Sequence, residues 1–286
     1  MKKFEIPIYL LIVLFFIGKY TLTGDGITDK DQIRRPNIRM PSVRRPVITA
    51  PNPATDPNSP LPRDTGPVMV KIDQVKKNST GTGFAFDGFG QYITARHVTE
   101  GCQSVYVLTG PRRGQMATVT PMRNSDFSVL DTKNLTTPHI TIAKNRPKRG
   151  DDGYFLGYPQ GKPADVWAVA YGSTRMQSVG KYRMREPVTA WVERRRRPDF
   201  TGSLAGMSGG PAFNSQGEII GTVVAGEPRR GRVFTTDIQN FDQFSALSST
   251  TSNQITKPQI NRLNFDSVGK DLRQKLTIAK IYCKAR

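Results

Sequence analysis

The sequence predicts an all-β protein built from barrels or a sandwich, and three observations predict it. Short runs rich in Val, Ile, Phe, Tyr and Thr recur from residue 67 onward. Gly, Pro, Asn and Asp separate them, and no helical periodicity intervenes before the tail. At 286 residues, with 36% hydrophobic and 23% charged side chains, the chain has room for one large domain or two small ones. The same composition excludes a polytopic membrane protein and a wholly disordered chain.

In chain order, Lys2 and Lys3 precede an apolar run from Ile6 to Ile17 that Gly18 and Lys19 end. Residues 1–23 thus read as a signal anchor or a cleaved signal peptide, with a buried core helix as the remaining alternative. Thr21-Leu22-Thr23 before Gly24 is a bulky cleavage site, which favours the anchor. Residues 24–66 contain eight prolines and repeat an Arg-Arg-Pro unit at 34–36 and 44–46. They read as a disordered, extended linker.

The strand signals follow at residues 68–75, 83–86, 91–94, 104–108, 115–122, 127–131 and 140–143. After a break at 148–152 they resume at 154–157, 166–171, 188–192, 211–213, 219–224 and 232–237. The tail, 248–286, differs. Val268, Leu272, Leu276, Ala279 and Cys283 recur at three or four residues, with Asp266 or Ser267 placed as the cap, which predicts an amphipathic helix docked on the body rather than on a membrane.

Lys and Arg total 42 against 23 Asp and Glu, a formal charge of +19 that lies mostly in residues 67–286. Such an excess attracts anionic partners: envelope polymers, lipid head groups or acidic proteins. Arg194 to Arg197 form its densest run and are expected on a turn near the cleft. They lack interleaved aromatics, so specific nucleic-acid binding is not expected. Two histidines and two cysteines are too few for a zinc cluster, so no metal is expected.

The sharpest chemical signal is Gly206-Met207-Ser208-Gly209-Gly210-Pro211, where glycines around a serine let backbone approach a reacting carbonyl. The pattern also fits the nucleophile elbow of α/β-hydrolases, but that order needs a histidine after the serine, and His97 and His139 both precede Ser208. A subtilisin order finds no suitable aspartate before His97. What remains is His, Asp, Ser, with Asp126 opening Asp-Phe-Ser-Val-Leu 29 residues after His97. Asp131, Asp151 and Asp152 look like turn residues, and His139 like a surface residue.

Gly81-Thr82-Gly83-Phe84, Thr94-Ala95-Arg96-His97-Val98, Asp126 to Leu130, Gly157-Tyr158-Pro159-Gln160-Gly161 and the serine segment together resemble the chymotrypsin/trypsin-like serine proteases, in particular bacterial envelope proteases of the Deg type. The resemblance covers residues 67 to 245. It implies two six-stranded antiparallel β-barrels, at 67–147 and 148–247, with the active site between them. It implies Ser208 as nucleophile, His97 as general base and then acid, and Asp126 as the group that orients the imidazole. The backbone amides of Gly206 and Ser208 would form the oxyanion hole. Gly202, Val224, Ala225 and Gly226 would shape a substrate pocket for an uncharged side chain, with Glu227 at its edge.

The departures are as informative. Met207 stands where digestive relatives hold an aspartate, so their amino-terminal activation salt bridge is excluded, and the tail is too short for a PDZ domain. Cys102 and Cys283 are an even pair that suits one disulfide outside the cytoplasm, with two unpaired buried thiols as the alternative. The function expected is a cofactor-free serine endopeptidase acting on proteins or peptides of the cell envelope. It would sit on the periplasmic or extracellular face, anchored to the inner membrane or secreted. A silent protease-like binding module is the competing class, and an esterase a lesser one.

Overall fold

The computed structural model describes residues 66–122, 124–244 and 257–286. The expected anchor, nearly all of the linker and the polar stretch before the tail helix lie outside the described residues. Among the described residues no helix is long and apolar enough to cross a membrane.

Chain order runs β1 (Val68–Ile72), β2 (Ser79–Ala85), β3 (Gln91–Ala95), α1 (Arg96–Thr99), β4 (Ser104–Gly110), β5 (Arg113–Pro121), β6 (Phe127–Asp131), then β7 (Asp152–Gly157), β8 (Ala164–Gly180) and β9 (Met184–Arg197). β10 (Pro211–Phe213), β11 (Ile219–Glu227), β12 (Arg232–Thr236), α2 (Phe265–Gln274) and β13 (Ile278–Lys284) complete it. The first barrel closes in the order β13-β2-β3-β6-β5-β4. The second sheet runs β1-β8-β7-β10-β11-β12-β9, and an extra β8–β9 pairing closes its last six strands into a ring with β1 outside it. The two-barrel class with a C-terminal helix is therefore correct. Both rings are antiparallel throughout, whereas β1 joins β8 in parallel.

Strand membership differs from the expectation at both ends. β1, expected in the first barrel, lies on the second, with Val68 opposite Met176 and Ile72 opposite Gly180. Its place in the first barrel is taken by β13, whose Ile281 pairs with Gly81 on one side and Val107 on the other. The N-cap position of the tail helix is Asn264, not Asp266 or Ser267, its side chain makes no capping bond to the helix, and the helix stops at Gln274. Leu276 then takes a left-handed φ of 59°, which ends the helix. Ala279 and Cys283, expected on the helix stripe, are buried strand residues instead. A five-residue apolar stripe at spacings of three and four cannot distinguish one helix from a short helix followed by a buried strand.

The β8–β9 hairpin is much longer than the two short runs expected at 166–171 and 188–192. Its inward positions beyond those runs include Thr174, Ser178 and Glu186, all buried, so polar residues hide the alternation. Arg194 to Arg197 consequently sit on β9 itself, with Arg196 opposite Val166 and Arg197 opposite Asp165, not on a turn. Residues 140–143 form only an isolated bridge, Ile142 to Ile219.

One apolar cluster runs through both barrels, from Phe84, Ile93 and Phe127 to Phe155, Trp191 and Phe213. Phe241 meets Phe127 at a tilt, with 4.9 Å between ring centroids, and Phe155 meets Trp191 edge-on at 5.4 Å. The tail helix is fastened by a buried two-pronged ion pair, Arg273 to Asp165 at 2.5 and 2.8 Å. Burial lifts the Asp165 carboxyl to about 6 against the opposing pull of Arg273. Cys102 and Cys283 form the disulfide, at a Cα separation of 5.5 Å, so the loop after α1 is tied to β13.

Replacing both cysteines, Cys102→Ser with Cys283→Ser, removes a cross-link between residues 181 apart. The variant is expected to lose ~2 to 4 kcal/mol in urea unfolding. A midpoint equal to that of the oxidised parent would refute this.

Candidate active site

Strand pairing brings two of the expected residues together. β3 and β6 are neighbours with Ala95 opposite Phe127, so the residues just past β3 lie beside the residue just before β6. The Arg96 N–H donates to the Asp126 carbonyl at 3.0 Å, and the His97 N–H donates to Asp126 Oδ1 at 3.0 Å. His97 Nδ1 lies 2.6 Å from Asp126 Oδ2. Asp126 is 1% exposed, while the His97 side chain keeps 19%, which leaves its Nε2 edge toward the cleft.

The serine segment reaches the same place from the second barrel, between β9 and β10. Thr82 on β2 holds it through two contacts: its N–H donates to the Ser208 carbonyl at 2.9 Å and its hydroxyl to the Gly206 carbonyl at 2.7 Å. The same hydroxyl accepts the Tyr158 N–H at 3.0 Å. Gly209, at φ 83°, lies so close that a Cβ would stand 2.3 Å from the Thr82 carbonyl and 2.6 Å from the Ala95 nitrogen. Only glycine fits there. No hydrogen bond joins His97 Nε2 to Ser208 Oγ among the described residues, a looseness common in sites without substrate.

The amides of Gly206 and Ser208 have no protein acceptor among the described residues. Their direction follows from their neighbours. The Ala205 carbonyl accepts the Gln160 N–H at 2.5 Å, and in a trans peptide the next N–H, that of Gly206, points the opposite way. The Met207 carbonyl is likewise held by the Gly210 N–H at 2.8 Å, which turns the Ser208 N–H outward from that bond. Gln160 adopts a left-handed φ of 53° to make its contact, and its side chain donates to the carbonyls of Thr201 and Ser203 at 2.8 and 3.1 Å. The Gly-Tyr-Pro-Gln-Gly turn is thus a brace for the serine loop. Met207 is fully buried in the common core.

The expected pocket residues are mixed. Gly202 is exposed, and its carbonyl takes the Arg196 guanidinium at 2.9 Å. Gly226 faces Leu204, whereas the Val224 side chain is buried in a cluster with Met176, Met184 and Phe234, against which Ala225 packs. Glu227 pairs with Arg230 at 3.6 Å. Beside Gly202 a recess of about 300 Å³ is lined by Glu193, Arg194, Arg195, Arg196, Asp199 and Phe200.

Of the rival residues, Asp131 and Asp151 accept backbone N–H groups in turns, as expected. Asp152 instead opens β7 and binds Trp167 Nε1 at 2.8 Å and Arg262. His139 is buried, not on the surface; burial lowers its basicity, and its Nδ1 lacks a partner among the described residues.

Four contributors escaped the sequence reading: Thr82, Tyr182, Glu186 and Asn240. Thr82 lay inside a quoted motif, flanked by glycines, and that flanking was its signal. Tyr182 and Glu186 sit on a hairpin whose polar inward face concealed it. Tyr182 donates its hydroxyl to Asp126 Oδ1 at 3.0 Å. Glu186 Oε1 accepts the Asp126 N–H at 3.3 Å, and Glu186 Oε2 accepts Asn240 Nδ2 at 2.9 Å. Burial, and then the nearby Asp126 carboxylate, push Glu186 up to about 8.

Residues 81–221 match the family model described as a trypsin-like peptidase domain. The matched segment runs from β2 into β11 and is similar to trypsin-like peptidase domains, and the fold is chymotrypsin-like. Among solved structures, the active form of the Rv3671c protease from M. tuberculosis superposes with a TM-score of 0.50 at 19% identity, over 71% of this chain and 99% of that one. The HtrA-type protease AlgW with a decapeptide gives 0.44 at 20% identity, over 57% of this chain and 50% of AlgW. The MamO protease domain from Magnetospirillum magneticum gives 0.43 at 16%, over 58% and 93%. No curated protein matches in sequence.

Glu186 titrates near 4.5 when unfolded and near 8 when folded, so the folded chain binds the extra proton between those values. Stability is therefore expected to fall as pH rises from about 4.5 to 8. Glu186→Gln should flatten that fall and raise the Tm at pH 8 by a few degrees, on the order of 2 to 4 °C per kcal/mol. Identical pH slopes of Tm in both proteins would refute the assignment.

Proposed function

We propose that the protein is a serine endopeptidase that hydrolyses peptide bonds through His97, Asp126 and Ser208 and an acyl-enzyme. The orientation of the Ala205–Gly206 peptide carries this reading. With its carbonyl bound to Gln160, its N–H is turned away from that brace and is left without a protein acceptor among the described residues, an arrangement that suits an oxyanion and that a silent binding module does not need.

In this reading Ser208 Oγ attacks the substrate carbonyl and passes its proton to His97 Nε2. Asp126, bonded at Nδ1, fixes the tautomer that leaves Nε2 free to accept and steadies the imidazolium that results. The carbonyl oxygen becomes an oxyanion between the amides of Gly206 and Ser208. His97 then protonates the departing amine, and the acyl group stays on Ser208. A water activated by His97 attacks the ester and frees the enzyme. No group beyond these residues is required by the steps.

The substrates we assign are proteins or peptides of the cell envelope, with residues 1–23 as the membrane anchor and the basic faces meeting acidic proteins or anionic polymers. The Cys102–Cys283 disulfide supports an oxidising compartment.

The deciding experiment treats the full chain and its Ser208→Ala variant with a fluorophosphonate probe and an unfolded protein substrate. Labelling and cleavage by the parent, both lost in the variant, are expected. Absence of both in folded, oxidised parent protein would overturn the reading. Thr82→Val, which removes the hydroxyl bound to the Gly206 carbonyl, should lower kcat by roughly tenfold or more, part of the ~100-fold or greater effect of losing an oxyanion donor. An unchanged kcat would dissociate Thr82 from the oxyanion loop.

A further inference from the structure

Asp126 belongs to the first barrel, yet one of the donors to its carboxylate comes from the second. Tyr182 lies in the turn between β8 and β9, and its hydroxyl reaches Asp126 Oδ1 at 3.0 Å, sharing that oxygen with the His97 N–H. Oδ2 is left to His97 Nδ1. The phenol ring is packed under Arg96, whose guanidinium carbon lies 4.2 Å from the ring centroid. Arg96 is in turn held by Glu100 at 3.0 Å and by the Met122 carbonyl at 3.1 Å. The turn is fixed from behind by the parallel strand β1, whose Ile72 carbonyl accepts the Lys181 N–H at 3.3 Å. Four residues on, Glu186 takes the Asp126 N–H, so one hairpin grips both the side chain and the backbone of the acid.

We infer that Tyr182 is a positioning residue: its hydroxyl holds the Asp126 carboxylate in the rotamer that faces His97 and tempers the basicity this carboxylate confers on the imidazole. The inference rests on the proposed triad for its catalytic meaning, but the coupling from Tyr182 through Asp126 to His97 is a physical claim independent of turnover. Burial, followed by the Asp126 charge, raises the phenol well above its ordinary range, so Tyr182 stays a donor at every working pH. The charged groups facing this cluster are Arg96 and Glu100 on α1, Glu186 on β9 and Lys76, whose Nζ lies 2.8 Å from the His97 carbonyl. None of them donates to the Asp126 carboxylate. Removal of the Tyr182 hydroxyl leaves Oδ1 with the His97 N–H alone, concentrates negative charge on Asp126 and favours the imidazolium.

The test is Tyr182→Phe, which keeps the ring under Arg96 and deletes only the hydroxyl. In the full chain carrying Ser208→Ala, where no turnover occurs, the His97 imidazole is titrated by nitrogen NMR. The Phe variant is expected to move its midpoint up by roughly half to one pH unit. In the chain with Ser208 present, kcat should fall about tenfold with KM unchanged, and the acid limb of kcat/KM should move upward with the NMR midpoint. Should the Phe variant fold poorly, a ring-fluorinated tyrosine at 182, a stronger donor, is expected to move the midpoint down instead. A His97 midpoint unaltered in a folded variant overturns the inference. A shifted midpoint in a protein that cleaves nothing sustains the coupling and instead removes the peptidase reading.

Discussion

The contact on which the rest of the site depends is that of Thr82 with the serine loop. Its hydroxyl donates to the Gly206 carbonyl and receives the Tyr158 N–H, and its own amide binds Ser208. One residue on the first barrel thereby fixes three backbone positions of the second. The glycines on either side make that approach feasible: a Cβ at 81 would stand 2.6 Å from a Val98 methyl and 3.2 Å from the Ser208 carbonyl. The cleft is therefore a shared backbone seam, with His97 and Asp126 on one lip and Ser208 on the other.

The seam is braced on two sides. Gln160 holds the Ala205 carbonyl from the second barrel, and the turn that carries Gln160 is itself held by the tail, through Lys280 on the Gly161 carbonyl at 2.9 Å and Arg273 on the Gly157 carbonyl at 3.4 Å. Arg273 can serve there because Asp165 neutralises it inside the protein, although burial works against the carboxylate. Asp165 and Glu186 are thus two buried acids at functional supports. Each is retained at a cost in solvation that packing elsewhere offsets.

What was legible in the sequence was whatever is repeated by local chemistry. Short β-branched runs gave the class, and the histidine, aspartate and serine segments each carried their own backbone requirement, glycine above all. Thr174, Ser178 and Glu186 point inward where an apolar alternation was sought, so the hairpin that carries Tyr182 read as loop. β1 and β13 exchanged places because partner choice is tertiary: Val68 to Ile72 suits any half-buried edge. At 276 a single left-handed residue converts a helical stripe into a helix and a strand. No pairwise spacing in a sequence records which of two barrels a strand will join.

The late position of β13 bears on when the protein can assemble. Gly81 and Ile281 are partners across 200 residues of chain, and β13 lies between β2 and β4. Without β13, the order β2-β3-β6-β5-β4 is a sheet with two open edges, and these strands leave the ribosome before the whole second ring is made. Contacts of such sequence separation form slowly, and open edges invite pairing with other chains. The lip that holds His97 therefore gains its final shape only after the lip that holds Ser208 has been synthesised, so the cleft is completed by β13 and a nascent chain has no finished cleft.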